Sequence, residues 1–318
     1  MKADAPNSSV SKLVLAGGSG FLGQVLAKFF VGAGYDVVML SRGVGVPGES
    51  SKLRVVQWNP DAMRLESWAK QLEGAKGVIN LCGRSVDCRY NKENRRQILD
   101  SRVNSTRLLG EAIAAMSNPP EVWLNASTAT IYSDRRGDLN PHDENSNDLG
   151  HGFSVEVAKA WENAFWEFDL SHVRQVAMRI SIVLGEGGAF PVMRRFARLL
   201  LGGRQGPGSQ WMSWLHVEDF VGIVEFLLSN DKVRGVVNFA APFPVRNTAF
   251  MHEMRKRFAP LGIGFPAPTP AVHSGAFFLR TSPELVLKSR KVVSSTLEKH
   301  GYKFRFPKIA EAIEDLSA

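Results

Sequence analysis

KLVLAGGSGFLGQVLAKFFVGAG (Lys12–Gly34) is the stretch on which the fold turns. KLVLAGG (Lys12–Gly18) is short, apolar and closed by glycines, which reads as a strand buried on both faces. After it, Phe21, Leu22, Val25, Leu26, Phe29 and Phe30 recur at helical spacing, and Gly32 and Gly34 end the helix. The join, GGSGFLG, sets Gly17, Gly20 and Gly23 between strand and helix. Gly17 suits the tight turn, Gly20 leaves the backbone open to a pyrophosphate, and Gly23 lets the helix pack close to the sheet. Main-chain amides at the helix start then meet the phosphate charge. Gly17, Gly20, Phe21, Leu22 and Gly23 are therefore candidates to hold a dinucleotide. An ordinary glycine-rich turn is the bland alternative, and the strand–turn–helix–strand context argues against it.

Working outward, YDVVMLSRG (Tyr35–Gly43), RVVQWNP (Arg54–Pro60), GVINLCG (Gly77–Gly83), VWLNAST (Val122–Thr128) and QVAMRISIVLG (Gln175–Gly185) repeat the strand pattern. Helical stretches such as Asn91–Ala115 and Phe153–Leu170 separate them. Alternating strands and helices predict an α/β fold, a doubly wound parallel sheet covered on both faces. Residues 11–185 form the dinucleotide-binding domain, with 214–241 returning to it; 186–213 and 242–318 form a smaller C-terminal substrate-binding region. FVGIVEFLL (Phe220–Leu228) is only nine residues long and reads as a buried helix.

The end of the second strand selects the cofactor. An NAD site would place Asp or Glu there for the ribose hydroxyls, whereas this chain has Ser41-Arg42. A guanidinium clamps a 2′-phosphate that a carboxylate would repel, so NADP(H) is expected. Leu81, Cys82 and Gly83, at the end of the fourth strand, should border the cofactor crevice. Cys82 reads as a small packing residue rather than a nucleophile.

The chain of 318 residues and 35.0 kDa has room for one large domain or two unequal ones. With 44% hydrophobic and 22% charged residues it has the profile of a folded protein. Its net charge of +8 favours anionic partners without singling out nucleic acid. KENRRQ (Lys92–Gln97) lacks the interleaved aromatics of a nucleic-acid platform and serves better to guide an anionic substrate or the cofactor phosphates. Two cysteines, Cys82 and Cys88, exclude a disulfide framework. Seven histidines without ligand spacing predict no metal site. MKADAPNSSV has no apolar core for a signal peptide, and no run approaches a membrane span. A cytoplasmic protein with a small-molecule substrate, and without nucleic-acid or membrane partners, is expected.

Together GGSGFLG, SRG, NLCG, SRVNSTRLL (Ser101–Leu109), NASTATIYS (Asn125–Ser133), MRISIVLG (Met178–Gly185) and WLHVEDF (Trp214–Phe220) resemble the extended short-chain dehydrogenase/reductase family, of the NAD(P)-dependent epimerase/dehydratase type. KAWENA, GSQWMSWLHVEDFV and GYKFRFPKIAEAI resemble, more narrowly, an atypical subgroup with a small C-terminal domain of unknown function. The resemblance implies a Rossmann-type sheet, and Ser127 or Thr128 as the hydroxyl that orients the substrate oxygen. It also implies a Tyr-x-x-x-Lys pair, in which the lysine lowers the tyrosine pKa and holds the nicotinamide ribose. Lys159 stands in place, but four residues earlier the chain has Val155. Three readings follow. Tyr132 or a neighbour such as Glu156 supplies the proton; the reaction needs no such step; or the protein binds NADP(H) without turnover, as a sensor or regulator. Some relatives in the subgroup are linked by name to cell-division control.

Gln97 and Arg102 lie on the helix that lines the cofactor in relatives and are candidates to reach the crevice, with a surface ion-pair role as the equal alternative. Trp211 and Trp214 are candidates to cover a substrate, with core packing as the commoner use of such residues, and Arg194 and Arg204 are candidates to contact an anionic substrate group. His216 is either a crevice residue or, the favoured reading, a helix-start residue beside Glu218 and Asp219. PHDEN (Pro141–Asn145) reads as a solvated turn. The resemblance also implies a homodimer formed through helix pairs, a role that AKAWENAFWEF would suit.

Overall fold

The computed structural model describes residues 11–43, 50–278 and 282–318, so the leader MKADAPNSSV lies outside them. The strands are β1 (Lys12–Ala16), β2 (Asp36–Ser41), β3 (Leu53–Gln57), β4 (Gly77–Asn80), β5 (Val122–Thr128), β6 (Arg174–Ile180), β7 (Ile182–Leu184), β8 (Trp211–Met212), β9 (Trp214–His216), β10 (Gly235–Phe239) and β11 (Val245–Arg246). The longer helices are α1 (Phe21–Gly32), α2 (Lys92–Ala114), α3 (Phe153–Trp166), α4 (Phe190–Arg198), α5 (Val217–Ser229), α6 (Asn247–Phe258) and α7 (Thr269–Phe278). Three short ones close the chain: α8 (Glu284–Leu287), α9 (Ser295–Lys299) and α10 (Ile309–Asp315).

Seven strands form one parallel sheet in the order β10-β6-β5-β4-β1-β2-β3. Strand order reverses between β1 and β4, and in such sheets the ligand crevice opens at the carboxyl ends beside that point. Side-chain alternation along β1 explains the two cores. Leu13 and Leu15 pack with Leu26 and Phe30 of α1 and with Phe220 and Leu227 of α5. Val14 and Ala16 face the other way, toward Leu108 and Leu109 of α2 and Phe165 of α3.

The run Gln175–Gly185, read from sequence as one strand, is two. After Ile180 the chain is tied by Ser181 N to Phe239 O (3.0 Å) and then leaves the sheet, so that β7 pairs with β9 instead. This step begins the smaller region. Its core gathers Phe190 of α4, Trp214 of β9, Phe250 and Met254 of α6, and Ile309 and Ile313 of α10.

The C-terminal tail does not remain there. Leu297 of α9 is buried in the α1/α5 core, with Tyr302 and Phe304 against it. PHDEN proves to be a clamp rather than a solvated turn. His142 is fully buried. Glu144 accepts from Ser294 Oγ (2.5 Å), Ser295 N (2.9 Å) and, in β10, Asn238 N (2.8 Å). A carboxylate able to accept several donors at once joins the tail to the sheet edge. Among the described residues no helix is long and apolar enough to cross a membrane.

Candidate functional site

The glycine loop shows each position's constraint. Gly17 has φ +75°, and a Cβ on it would lie 2.8 Å from Cys82 N. On Gly23 a Cβ would lie 2.5 Å from Gly18 Cα, so the close packing is between the first turn of α1 and the loop itself. At Gly20 an added Cβ would meet only Gly17 O, at 3.7 Å. That residue is exposed and is the N-cap of α1, with no side chain capping the helix and no acid in its first turn. An open, uncapped helix start beside the strand ends suits an anion. Phe21 turns its ring toward Gly187, and Leu22 packs on the core.

At the end of β2, Ser41 is buried and its Oγ accepts from Gly43 N (3.2 Å), while Arg42 is exposed. Leu81 N donates to Ala16 O (2.8 Å), carrying β4 past the glycine loop. Asn80 organises this junction: its Nδ2 donates to Asn125 Oδ1 (2.7 Å) and Thr106 Oγ1 (3.1 Å), and its Oδ1 accepts from Cys82 N (3.0 Å). Burial pushes the Cys82 thiol up to about 12, which leaves it protonated and inert, a packing group. Arg102 lies beside Gly83, where a Cβ would be 3.0 Å from its Cζ, and it donates to Arg84 O and Ile98 O over the Trp161 ring. Burial pulls its pKa down to about 10, which leaves it charged at neutral pH. Gln97 is engaged by Glu93 on its own helix and makes no bond to the loop.

The expected catalytic group divides. Along β5 neighbouring side chains face opposite sides. Ser127 points into the protein, almost wholly buried, and donates to Glu162 Oε1 (2.5 Å). That carboxylate is gripped by Arg179 through two bonds of 2.8 and 2.7 Å. Burial disfavours the guanidinium, but Glu162 outweighs it and holds it protonated. Thr128 is half-buried, and its hydroxyl pairs with Thr130 Oγ1 at 3.1 Å. Tyr132, read from sequence as a substitute proton donor, is instead a core residue. Its ring is stacked on His142 with centroids 4.9 Å apart. Its hydroxyl accepts from Arg179 Nη1 (2.9 Å) and has Asn238 Oδ1 (2.9 Å) and Asp143 O (3.0 Å) as acceptors. Burial raises its pKa. A phenol so enclosed does not relay protons to a ligand. Lys159 is exposed, with Nζ 3.3 Å from Gly150 O; Val155 is buried beneath that loop, and Glu156 is exposed.

Beyond Thr128 a cavity of about 190 Å³ opens between the sheet's carboxyl ends and the smaller region. Thr128, Thr130 and Ser154 line one side, Gln205, Trp211 and Ser213 the other. Sequence reasoning missed the charged group in it. Ser154, on the first turn of α3 beside Val155, donates to Glu284, and Lys288 pairs with Glu284 at 2.9 Å. The separation of 130 residues left no local signal of that bond. Tyr90, also unforeseen, turns a buried hydroxyl toward this group, its ring 5.0 Å from Phe153. Burial raises its pKa, and the charge of Glu284 acts in the same direction.

Arg204 is exposed, and three of the other residues singled out from sequence are structural. Trp214 is buried with Nε1 on Phe243 O, His216 caps α5 by accepting from Glu218 N (3.2 Å), and Arg194 pairs with Glu186. A second depression, about 360 Å³, is lined by Lys76, Glu121 and Arg174 at the amino ends of the strands, the wrong end for a nucleotide.

Sheet order, open glycine loop and uncapped helix are those of a dinucleotide-binding protein of the Rossmann class. A model of the NAD dependent epimerase/dehydratase family matches residues 13–240, and a domain of unknown function, DUF1731, matches residues 267–316. The chain belongs to the NAD dependent epimerase/dehydratase family. It is similar to human epimerase family protein SDR39U1, 29% identical over 311 residues that span 96% of this chain and 100% of that protein. It is 28% identical over 307 residues to epimerase family protein YfhF of Bacillus subtilis, spanning 96% and 98% of the two. The crystal structure of human SDR39U1 (isoform 2) with NADPH superposes with a TM-score of 0.81 at 28% identity, covering 96% of this chain and 99% of that one.

Proposed function

We propose that this protein is an NADP(H)-dependent oxidoreductase or epimerase-like enzyme of the extended short-chain dehydrogenase/reductase type. The observation that carries NADP(H) over NAD(H) is Arg42, an exposed guanidinium at the end of β2 where a ribose-binding carboxylate would otherwise stand. The NADPH of the human relative's structure supports the same choice. Amides of Gly20, Phe21 and Leu22 would hold the pyrophosphate, Arg42 and Ser41 the 2′-phosphate, and Lys159 the nicotinamide ribose. Leu81, Cys82, Gly83 and Arg102 would border the cofactor. When bound, the nicotinamide supplies or accepts a hydride.

The chain's own residues divide the remaining work. Thr128, not Ser127, orients a substrate oxygen, because only Thr128 lines the cavity. Val155 neither donates nor accepts a proton. Glu284, held by Lys288 and hydrogen-bonded to Ser154, is the carboxylate that lines the cavity and would take up or return the proton there. Two unpaired thiols, Cys82 and Cys88, suit a reducing, cytoplasmic setting. α2 and α3 pack side by side and offer the face for a homodimer.

Calorimetry with NADPH and NADH tests the cofactor reading: tighter binding of NADPH by at least about tenfold is expected for one added charge-assisted clamp. Equal affinities would remove it. A second reading, a non-catalytic NADP(H)-binding sensor or regulator that acts through a partner such as the division machinery, is favoured by Val155 alone. Loss of NADPH absorbance over a panel of ketones, aldehydes and sugar nucleotides separates the two. Tight NADPH binding with no turnover on any of them would favour the sensor.

A further inference from the structure

The charge of this chain is segregated. Residues 187–217 and 254–283 each carry four Lys or Arg and no Asp or Glu. Together they hold +8, the whole net charge of the chain (39 − 31 = +8), so the remainder is neutral overall. Both stretches belong to the smaller region, where α4 packs on α6.

The same corner exposes apolar side chains that the fold does not use. Leu261 is 92% exposed, and Leu199, Leu201, Ile263 and Phe265 are each at least half exposed. Backbone bonds bring the two segments together: Phe265 N donates to Leu200 O (2.7 Å), and Gly203 N donates to Phe265 O (3.1 Å). Arg255 Nη1 adds a bond to Gly202 O at 2.9 Å. Leu200 and Leu261 have φ of 61° and 56°. Non-glycine residues seldom take that left-handed conformation, and such strain concentrates where a loop serves a function. Arg195, Arg198, Arg204 and Lys256 are exposed at this corner, and among the described residues none of them forms an ion pair with a carboxylate.

We propose that this corner is a docking surface for a lipid bilayer bearing anionic headgroups. Leu199, Leu201, Leu261, Ile263 and Phe265 enter the boundary between headgroups and acyl chains, and the four cations that no carboxylate pairs among the described residues meet lipid phosphates. Clustered apolar side chains on two stretches that contain no Asp or Glu, ringed by basic ones, match that surface in both polarity and charge. A second copy of the chain fits worse, since a self-complementary contact would bring like charges together. Nucleic acid fits worse because the apolar tip is mainly aliphatic and offers few faces for base stacking. The sequence reading expected no membrane partner from the absence of spans and a signal segment. Adsorption to one leaflet requires neither. The inference is independent of the nucleotide reading.

The test is co-sedimentation of the full chain with vesicles of phosphatidylcholine alone and with vesicles in which about one third of the lipid is phosphatidylglycerol, at ~0.1 M salt, where the screening length is about 10 Å. The wild-type chain should sediment with the anionic vesicles, weakly or not at all with the neutral ones, and less as salt rises. The double variants L261D/F265D and R195E/R198E should each lower partitioning by at least about tenfold. All four positions are partly or wholly exposed, so unchanged thermal unfolding and NADPH affinity should accompany the loss. The proposal is overturned if the wild type stays in the supernatant with anionic vesicles, or if both variants sediment as it does. It is also overturned if L261D/F265D splits a dimer while vesicle binding persists, or if duplex DNA or RNA binds this corner in place of vesicles.

Discussion

At the scale of single residues, burial decides which hydroxyls and charges of the candidate site are available. Ser127, Thr128 and Tyr132 are close in sequence and equally plausible as chemistry, yet only Thr128 borders the cavity. Ser127 and Tyr132 instead satisfy the Glu162–Arg179 pair, whose side chains are each less than a tenth exposed. A buried ion pair needs such partners for its remaining lone pairs and protons. Arg42 stands at the opposite extreme, exposed and at a strand end. Arg42→Ala should weaken NADPH about 10- to 100-fold, the worth of a charge-assisted clamp, and leave NADH within about twofold. Isothermal titration of both nucleotides measures this. An unchanged NADPH/NADH ratio would reassign Arg42 to the solvated surface.

At the scale of elements, the start of α1 and the start of α5 solve the same problem in different ways. α1 is left uncapped and held against its own loop through Gly23 and Gly18. Gly23→Ala should shift the helix start and weaken nucleotide binding by at least about tenfold, because backbone stands 2.5 Å from the new methyl and cannot rotate away. A variant that binds NADPH as well as wild type would show that the loop has slack. α5, by contrast, is capped by His216, which lies against Phe306 with ring centroids 3.9 Å apart. Burial lowers its pKa to about 4, against the opposing pull of Asp315 at 3.3 Å. The unfolded chain takes a proton at this histidine below about pH 6.5, and the folded chain refuses it until near 4. Stability should therefore be fully present above that window and fall as pH drops through it, by on the order of 2 kcal/mol. His216→Asn keeps a capping side chain but does not titrate there. Its thermal unfolding should be flatter than wild type between about pH 4 and 6.5, and identical slopes would point to other groups.

At the scale of the whole molecule, the C-terminal tail links the two regions. Asp219 at the start of α5 accepts from Arg305 N (2.7 Å) and Phe306 N (2.9 Å), while Glu144 holds α9 and Leu297 fills the sheet's own core. A chain ending at Val293 would leave these acceptors and the α1/α5 core uncovered. It should unfold at least about 10 °C below the full chain, a few kcal/mol of lost burial and hydrogen bonding. Differential scanning calorimetry decides it, and an unchanged transition would show that the tail only decorates the sheet.

Local periodicity was enough to read the parallel sheet, and glycine spacing marked the loop at the start of α1; the absent tyrosine showed only against the family's Tyr-x-x-x-Lys pattern. Each depends on residues adjacent along the chain, where side-chain alternation and backbone sterics act directly. The exit of the chain from the sheet at Ser181, the capture of Tyr132 and Ser127 by Arg179 and Glu162, and the arrival of Glu284 beside Ser154 depend on contacts between distant segments. Those pairings are decided by which surfaces meet when the core closes, and no short window of sequence carries that information.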